Sequence, residues 1–445
     1  MGNQGLLHVT GFLLLGLSQT FPQGSTQGAS GFGSRNCTKT LGREFITSFM
    51  ENWIPGQYSS FQVQITSYSA STSVSVSVGS FEKNVSVDQG EVVQVVLPRT
   101  VEIVGSKTFS NTVRIKADKD ITAMSLSYKG LSTETAMLFP VPVLGNEYYI
   151  VTPSSSAGDP EFSIMAHREP STVEIHVKGQ VTYQGSPYCE GDILNVTLPA
   201  FQGVQIQGKG DLSGTRIVSQ KTVAVLAGHA CTSENTKCHH VFEQLLPVCS
   251  WGRTYVIPPV PFQTKHDIVY VSASQPTAVQ YWLGRQQSNA SLEGGQVLPL
   301  EVEPSSPVYI TASVGVQVVY YSTGSDMAMY AYDTFLINVP DVASYCLSYS
   351  ANWQVGFDNY VLLVARSTEA EAVTLDKQPL RNVKWTKVRG SEFSWGVYPL
   401  ATDLNMHIVS HPSSPFALLS FGTANRDGYG TLGACGESEY KFYCC

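Results

Sequence analysis

The sequence predicts an all-β protein built from about four tandem repeats of antiparallel β-sandwich-like units, tightly packed. Three observations predict it. The 445 residues include 22 Tyr, 38 Gly and 23 Pro among many Val, Ser and Thr, which favours strands and turns over helices. Apolar residues alternate with polar ones over short runs, the period of half-buried strands. The same order of signals then recurs from starts at 42, 145, 252 and about 344, at spacings of 103, 107 and about 92 residues. Units of this size, each with six or more short strands, suit small sandwiches. Linkers between them are nearly absent, so the units are expected to pack against one another.

The first repeat (42–144) opens at Gly42-Arg43-Glu44-Phe45-Ile46. Phe61–Ile65 and Ser73–Val78 alternate cleanly, and Gly90–Pro98 is a Gly-led strand ending in Pro. Val113–Ala117 and Ile121–Leu126 flank the polar Asp118-Lys119-Asp120 and predict a hairpin. Met137-Leu138-Phe139-Pro140 closes the unit. The second repeat (145–251) answers with Gly145–Pro153, Phe162–Ala166, Thr172–Val177, Gly191–Pro199, and a hairpin of Thr215–Ser219 with Thr222–Leu226. The third (252–343) repeats it with His266–Val271, Thr277–Trp282, Gly295–Leu300, the pair Val308–Ala312 and Val316–Tyr320, and Asp333–Pro340. The fourth (344–424) has Tyr360–Val364, Ala372–Leu375, Met406–Ser410 and Ala417–Phe421. A Gly- and Cys-rich tail occupies 425–445.

With 42% hydrophobic residues the chain has ample material for a core. Net charge is −8 and no basic stripe stands out, which argues against a nucleic-acid partner. Residues 1–20, with the apolar run Leu6–Leu17, read as a signal peptide, and 21–41 as a flexible leader. That run is too short and interrupted to span a bilayer, and no later segment is long and apolar enough. Secretion to the extracellular space is the expectation.

Nine cysteines fit an oxidising compartment. Cys37, Cys189, Cys231, Cys238, Cys249, Cys346 and Cys435 are disulfide candidates of open connectivity. The odd count leaves at least one thiol free or bonded to another molecule; Cys444 and Cys445 are the candidates, and a disulfide-linked oligomer is the form they would support. Four sequons, at Asn36, Asn84, Asn195 and Asn289, are N-glycosylation candidates. Asn84 and Asn195 lie in strands whose apolar residues share the opposite face, so both point outward.

Chemistry is sparse. Cys231 and Cys238 are seven apart across a polar loop. A disulfide pinning a hairpin is the plainer reading, worth roughly 2–3 kcal/mol. A zinc site with His239 and His240 is the sharper one, but adjacent histidines cannot easily place both rings on one ion. His229 before Cys231 could form a Cys/His nucleophile pair, which an oxidised cysteine would not. No Gly-x-Ser-x-Gly elbow and no calcium loop is present. Gly158-Asp159-Pro160-Glu161 lacks the His of the Gly-Asp-Pro-His self-cleavage motif and sits in an ordinary turn. Tyr320, Tyr321, Tyr330, Tyr332 and Trp282 form either an exposed aromatic binding surface or the packed face of the third repeat. No catalytic, cofactor or metal site is assigned, and binding or structural work is the better class.

The stretch Gly228-His229-Ala230-Cys231, then Lys237-Cys238-His239-His240-Val241-Phe242-Glu243-Gln244-Leu245-Leu246-Pro247, then Trp251-Gly252, resembles the N-terminal domain of the mucus-associated IgG Fc-binding protein family. Gly42-Arg43-Glu44-Phe45 and the Phe-Pro joints are similar too, and the resemblance extends over about residues 36–430. It implies a secreted mucosal protein that binds immunoglobulin G Fc or another glycoprotein, with mucins as further partners. The alternative is a structural or adhesive mucus component cross-linked through its terminal cysteines. Family members continue into von Willebrand factor D modules, none of which occurs up to Cys445, so the expectation is either a short soluble form of the binding domain or a fragment of a longer protein. It carries over no Fc-contacting residue.

Overall fold

The computed structural model describes residues 40–54, 58–130, 132–155, 157–232, 238–326, 331–351, 353–401 and 406–435. The signal peptide, nearly all of the leader, Asn36, Cys37, Tyr330, Cys444 and Cys445 lie outside these residues. Among those described there are strands and short 3-10 turns and no α-helix. The strands form antiparallel sheets of seven, ten, seven, five and five strands, the last two both in the fourth repeat.

Each of the first three repeats begins where a missing side chain lets two pieces of backbone approach. Their opening strands are Gly42–Thr47, Gly145–Tyr149 and Gly252–Ile257. A Cβ on Gly42 would lie 2.4 Å from Pro140 Cβ, on Gly145 2.7 Å from Pro247 Cβ, and on Gly252 2.0 Å from Asp341 Cγ. Pro140, Pro247 and Asp341 are the caps of the 3-10 turns Val141–Val143, Val248–Ser250 and Val342–Ser344 that end these same repeats. Glycine serves here for contact, pressing the end of a repeat onto its own beginning.

A tyrosine three residues on holds the junction. Tyr148 Oη accepts from Gly145 N–H (2.9 Å) and donates to Val223 O (2.7 Å). Tyr255 repeats this between Gly252 N–H and Val316 O, and Tyr349 between Cys346 N–H and Phe416 O. The first repeat has Phe45 at this place. In the fourth, Cys346 stands where the glycines stand, and it is bonded to Cys435. A disulfide thus closes the last repeat where glycine contacts close the others.

The expected hairpins after the Gly-led strands are not hairpins. Val113–Lys129, Arg216–Thr232 and Val308–Ser322 each run through as one long strand of 17, 17 and 15 residues. The polar stretches read as turns are irregularities in the ladder: pairing with the opening strand shifts register between Gly42 and Glu44, Val218 and Val223, and Gly252 and Thr254. Extra residues on one strand bend it and increase its twist, so the far half can leave its first partners. In the fourth repeat Pro412 and Pro415 fall at this point and the strand does break, into His407–Ser410 and Ala417–Ala424.

The far half of each long strand pairs with a closing strand: Ser132–Met137, His239–Gln244, Phe335–Asn338 and, within the stretch expected as a tail, Asp427–Leu432, so the fourth repeat extends past 424 to Cys435. The first closing strand packs on the second and fourth, and the third packs on the second and fourth as well. The four repeats therefore form a closed ring around a hub of closing strands. The largest apolar core is shared by all of them, with Ile46 and Phe139, Phe242, Phe335 and Ile337, and Phe421 and Leu432. Two further ties secure the circle. Lys107–Phe109 of the first repeat joins the second repeat's sheet against Gly203–Gln205. At the ring's seam, Gln64 and Gln354 exchange amide hydrogen bonds (2.8 and 3.0 Å), Tyr68 bonds Ser350 (2.7 Å), and Cys435 N–H donates to Thr40 Oγ1 (3.0 Å).

Tyr255→Phe leaves the buried Gly252 N–H and Val316 carbonyl without their shared partner, an expected loss of about 1–3 kcal/mol in denaturant unfolding. Replacing Cys346 and Cys435 together by Ser, which opens a loop of sequence separation 89, is expected to cost about 4–5 kcal/mol in the same measurement.

Candidate binding face

The closing strands all run the same way around the hub. Thr133 binds Asp427 at their starts, through its N–H (2.9 Å) and hydroxyl (2.6 Å). Asn338 binds the Gln244 carbonyl (2.8 Å) at their ends, and Phe139 N–H donates to Gln244 Oε1 (2.9 Å) just beyond. The tips of the four long hairpins therefore gather at one pole, and the proline-bearing joints at the other.

The hub is polar where strand edges meet. Glu134 is fully buried in the first closing strand, and its carboxyl accepts from the N–H of Leu336 in the third (3.4 Å). Glu243, equally buried, accepts from Asn338 Nδ2. Burial pushes both carboxyls well above the usual carboxylate range, and the neighbouring Glu243 and Asp427 add to the effect at Glu134. Asp427 is raised to about 6, again chiefly by burial. A protonated carboxyl avoids the cost of a buried charge and can donate as well as accept.

Beside the hub, His240 Nε2 lies 3.2 Å from Glu161 Oε1, and Gln207 Nε2 links Glu161 to Glu51 (2.9 Å each). Burial pushes His240 and His229 down to about 4 and Glu161 well up. His229 Nδ1 accepts from Cys231 N–H (3.2 Å). His239 faces away from His240, with Nδ1 2.9 Å from Asp333 Oδ2 at angles that do not make a hydrogen bond. The two histidines thus serve different neighbours, and Gln207 ties this cluster to Glu51 of the first repeat.

What remains for recognition is the tip pole. Its hairpin ends come from all four repeats. Thr232 bonds Thr334 (2.9 Å), Arg426 N–H donates to Ala331 O (3.3 Å), and Thr133 bonds Asp427 as above. Described residues on either side of 55–57 are tied to them: Glu51 accepts from Gly105 N–H (2.8 Å), Trp53 N–H donates to Ala230 O (3.1 Å), and Tyr58 O accepts from Gly130 N–H (3.1 Å). Lys129 Nζ reaches Asn52 O and Glu102 Oε1, both at 2.7 Å. On this fixed backbone Trp53 is 43% and Tyr58 74% exposed, and Val104 beside Gly105 is also exposed. Large apolar groups held out by a satisfied backbone mark an interaction surface better than scattered ones do. The sequence reading missed Trp53 and Tyr58. Their flanking of Pro55-Gly56 signals a loop, but nothing local says that their rings stay in solvent.

The residues singled out from sequence fall as follows. Cys231 is bonded to Cys238 across the second tip, and Cys249 on the joint after Pro247 is also disulfide-bonded. Cys189, expected among the bridged cysteines, is instead exposed and free. It ends a hairpin, Gln180–Tyr183 with Ser186–Cys189, at the outer limit of its sheet, where its ladder neighbour is Gln180. Tyr320, Tyr321 and Tyr332 are buried, because the far half of the long strand is covered on both sides; Trp282 is half-buried against Tyr309. They make no exposed aromatic surface. Asn84, Asn195 and Asn289 are all exposed.

Among known proteins, a family model described as IgGFc binding protein matches residues 134–422, from the hub carboxylate of the first repeat into the last long strand. The chain is 36% identical over 408 residues to the human IgGFc-binding protein. That alignment takes in 90% of this chain and 8% of the human one, so the chain spans about a twelfth of the relative's length.

Stability should respond to pH through the hub. A carboxyl whose folded pKa is raised contributes fully below its unfolded value, near 4, and that contribution is lost as pH rises through the folded pKa. For Asp427 the window runs from about 4 to about 6. The buried histidines act in the opposite sense between about 6.5 and about 4. Glu134→Gln removes one hub titration and leaves the histidines unchanged. Its stability relative to the parent, from urea melts, is expected to be higher at pH 8 than at pH 5.

Proposed function

Because the chain belongs to the IgGFc-binding protein family, we propose that it is a secreted, non-catalytic binding module for the Fc part of immunoglobulin G, and that it binds through the tip pole. The observation that carries the siting is the convergence of hairpin tips from all four repeats on one face with Trp53 and Tyr58 held outward. Rigid scaffolds that gather loops at one end place their recognition residues there. Trp and Tyr bury large areas for few frozen torsions, and truncating such anchors typically costs more than any other contact type. The buried hub carboxyls Glu134, Glu243 and Asp427 are consumed in holding repeats together, which supports recognition over turnover.

The test is surface plasmon resonance of the purified glycosylated protein against Fc, with Fab as control. Saturable binding to Fc and not to Fab is expected. Trp53→Ala with Tyr58→Ala is expected to weaken it at least tenfold, about 1.4 kcal/mol, with thermal unfolding unchanged. Absence of binding at micromolar Fc overturns the partner. Undiminished binding by the double variant overturns the face.

A further inference from the structure

Strand register gives three residues an equivalence that linear spacing does not show. In the first repeat, Glu44 of the opening strand pairs with Lys116, Lys116 with Ser75, and Ser75 with Asn84. In the second, Glu147 pairs with Val218, Val218 with Glu174, and Glu174 with Asn195. In the third, Thr254 pairs with Thr311, Thr311 with Gln280, and Gln280 with Asn289. Each row starts two residues after the glycine of its opening strand. Each crosses the long strand and the third strand of its repeat, and each ends on a sequon asparagine. The three therefore occupy one structural position, although they are 111 and 94 residues apart in sequence.

That position lies at an edge. Phe81–Val87, Ile193–Leu198 and Gln286–Leu292, which carry the three asparagines, are outermost strands of their sheets. All three asparagines, and the hydroxyl residues Ser86, Thr197 and Ser291 two places on, are exposed, so both parts of each sequon point to solvent. The same row in the fourth repeat runs from Ser348 to Ser410 to Thr374 and ends on Pro379. Its strand, Gln378–Pro379, is again outermost. Proline has no N–H to offer a further strand and is one of the known guards of sheet edges.

We infer that Asn84, Asn195 and Asn289 carry N-linked glycans at one equivalent position, and that these glycans shield the sheet edges of three repeats as Pro379 does in the fourth. In the modification, a lipid-linked pyrophosphate oligosaccharide is the donor. The bond between the sugar C1 and the asparagine Nδ2 forms, the C1–O bond to pyrophosphate breaks, and the amide proton passes to a base of the transferase. The bulky, hydrated product stands over the outer strand and keeps a second chain from pairing along it. A ring with four like edges would otherwise be a template for open-ended association.

The test uses the full chain secreted from mammalian cells. Peptide mapping after enzymatic glycan release in heavy-oxygen water should mark all three asparagines; unmarked Asn195 and Asn289 would overturn the glycan assignment. The edge role is read by light scattering on size-exclusion chromatography. Protein with its glycans removed should gain mass with concentration, whereas glycosylated protein should remain monomeric. Ser86→Ala with Thr197→Ala and Ser291→Ala, which keeps the asparagines and adds no charge, should behave as the stripped protein does. Should that variant fail to fold, enzymatic removal from the folded parent still decides the question. Pro379→Thr in the glycosylated protein should open one edge and give dimers. Stripped protein that remains monomeric at every concentration overturns the edge role.

Discussion

The fold depends on satisfying the outer edges of four closing strands at the hub. Each closing strand is hydrogen-bonded to its own long strand on one side only. Its other side faces the closing strands of two other repeats, in a place closed to water. An edge of this kind carries backbone N–H groups that must find an acceptor or cost free energy comparable to a lost hydrogen bond. The Glu134 carboxyl of the first repeat supplies one, accepting from Leu336 of the third. Asp427, Glu243, Asn338 and Gln244 continue the pattern around the circle. These side chains reach where a strand cannot be added, so four sheets can meet without merging into one.

This arrangement explains why the repeats differ in their details and agree in their geometry. The glycine at the start of each of the first three repeats is required by contact with that repeat's own end, while the strands between can vary. The second repeat holds an extra hairpin at Gln180–Cys189, and the fourth breaks its long strand at prolines, yet both keep the opening junction and the closing strand. The Cys346–Cys435 bond belongs to the same logic. It secures the opening junction of the fourth repeat, where Cys346 stands in place of the glycine.

Much of this was legible in the sequence. Alternation located most strands, and the Gly and Pro signals marked the junctions. The outward phase of Asn84 and Asn195 followed from the two-residue period. Four features were not legible, each for a tertiary reason. Asp118-Lys119-Asp120 has the composition of a turn, and only the pairing of Gly42 and Glu44 across it makes it a bend in a continuous strand. The tyrosines of the third repeat look like a surface cluster because Tyr is commonly found there; they are buried because the closing strands bring a second layer over them. The partner of Cys346 lies 89 residues away, and no spacing rule reaches that far. Trp53 and Tyr58 were missed for the converse reason, since exposure of an aromatic ring is a property of what fails to cover it.

The seam that closes the ring joins residues separated by 290 positions, Gln64 and Gln354. A ribosome adds about 5–20 residues each second, so the first repeat waits roughly 15 to 60 seconds for its neighbour. Through that interval Gln64, Thr66, Val92 and Met124, which line the finished seam, have nothing against them. Folding by successive repeats therefore builds an open arc whose leading face is uncovered until the last strand arrives. The protein's vulnerable period belongs to its synthesis and ends when Cys435 reaches Thr40.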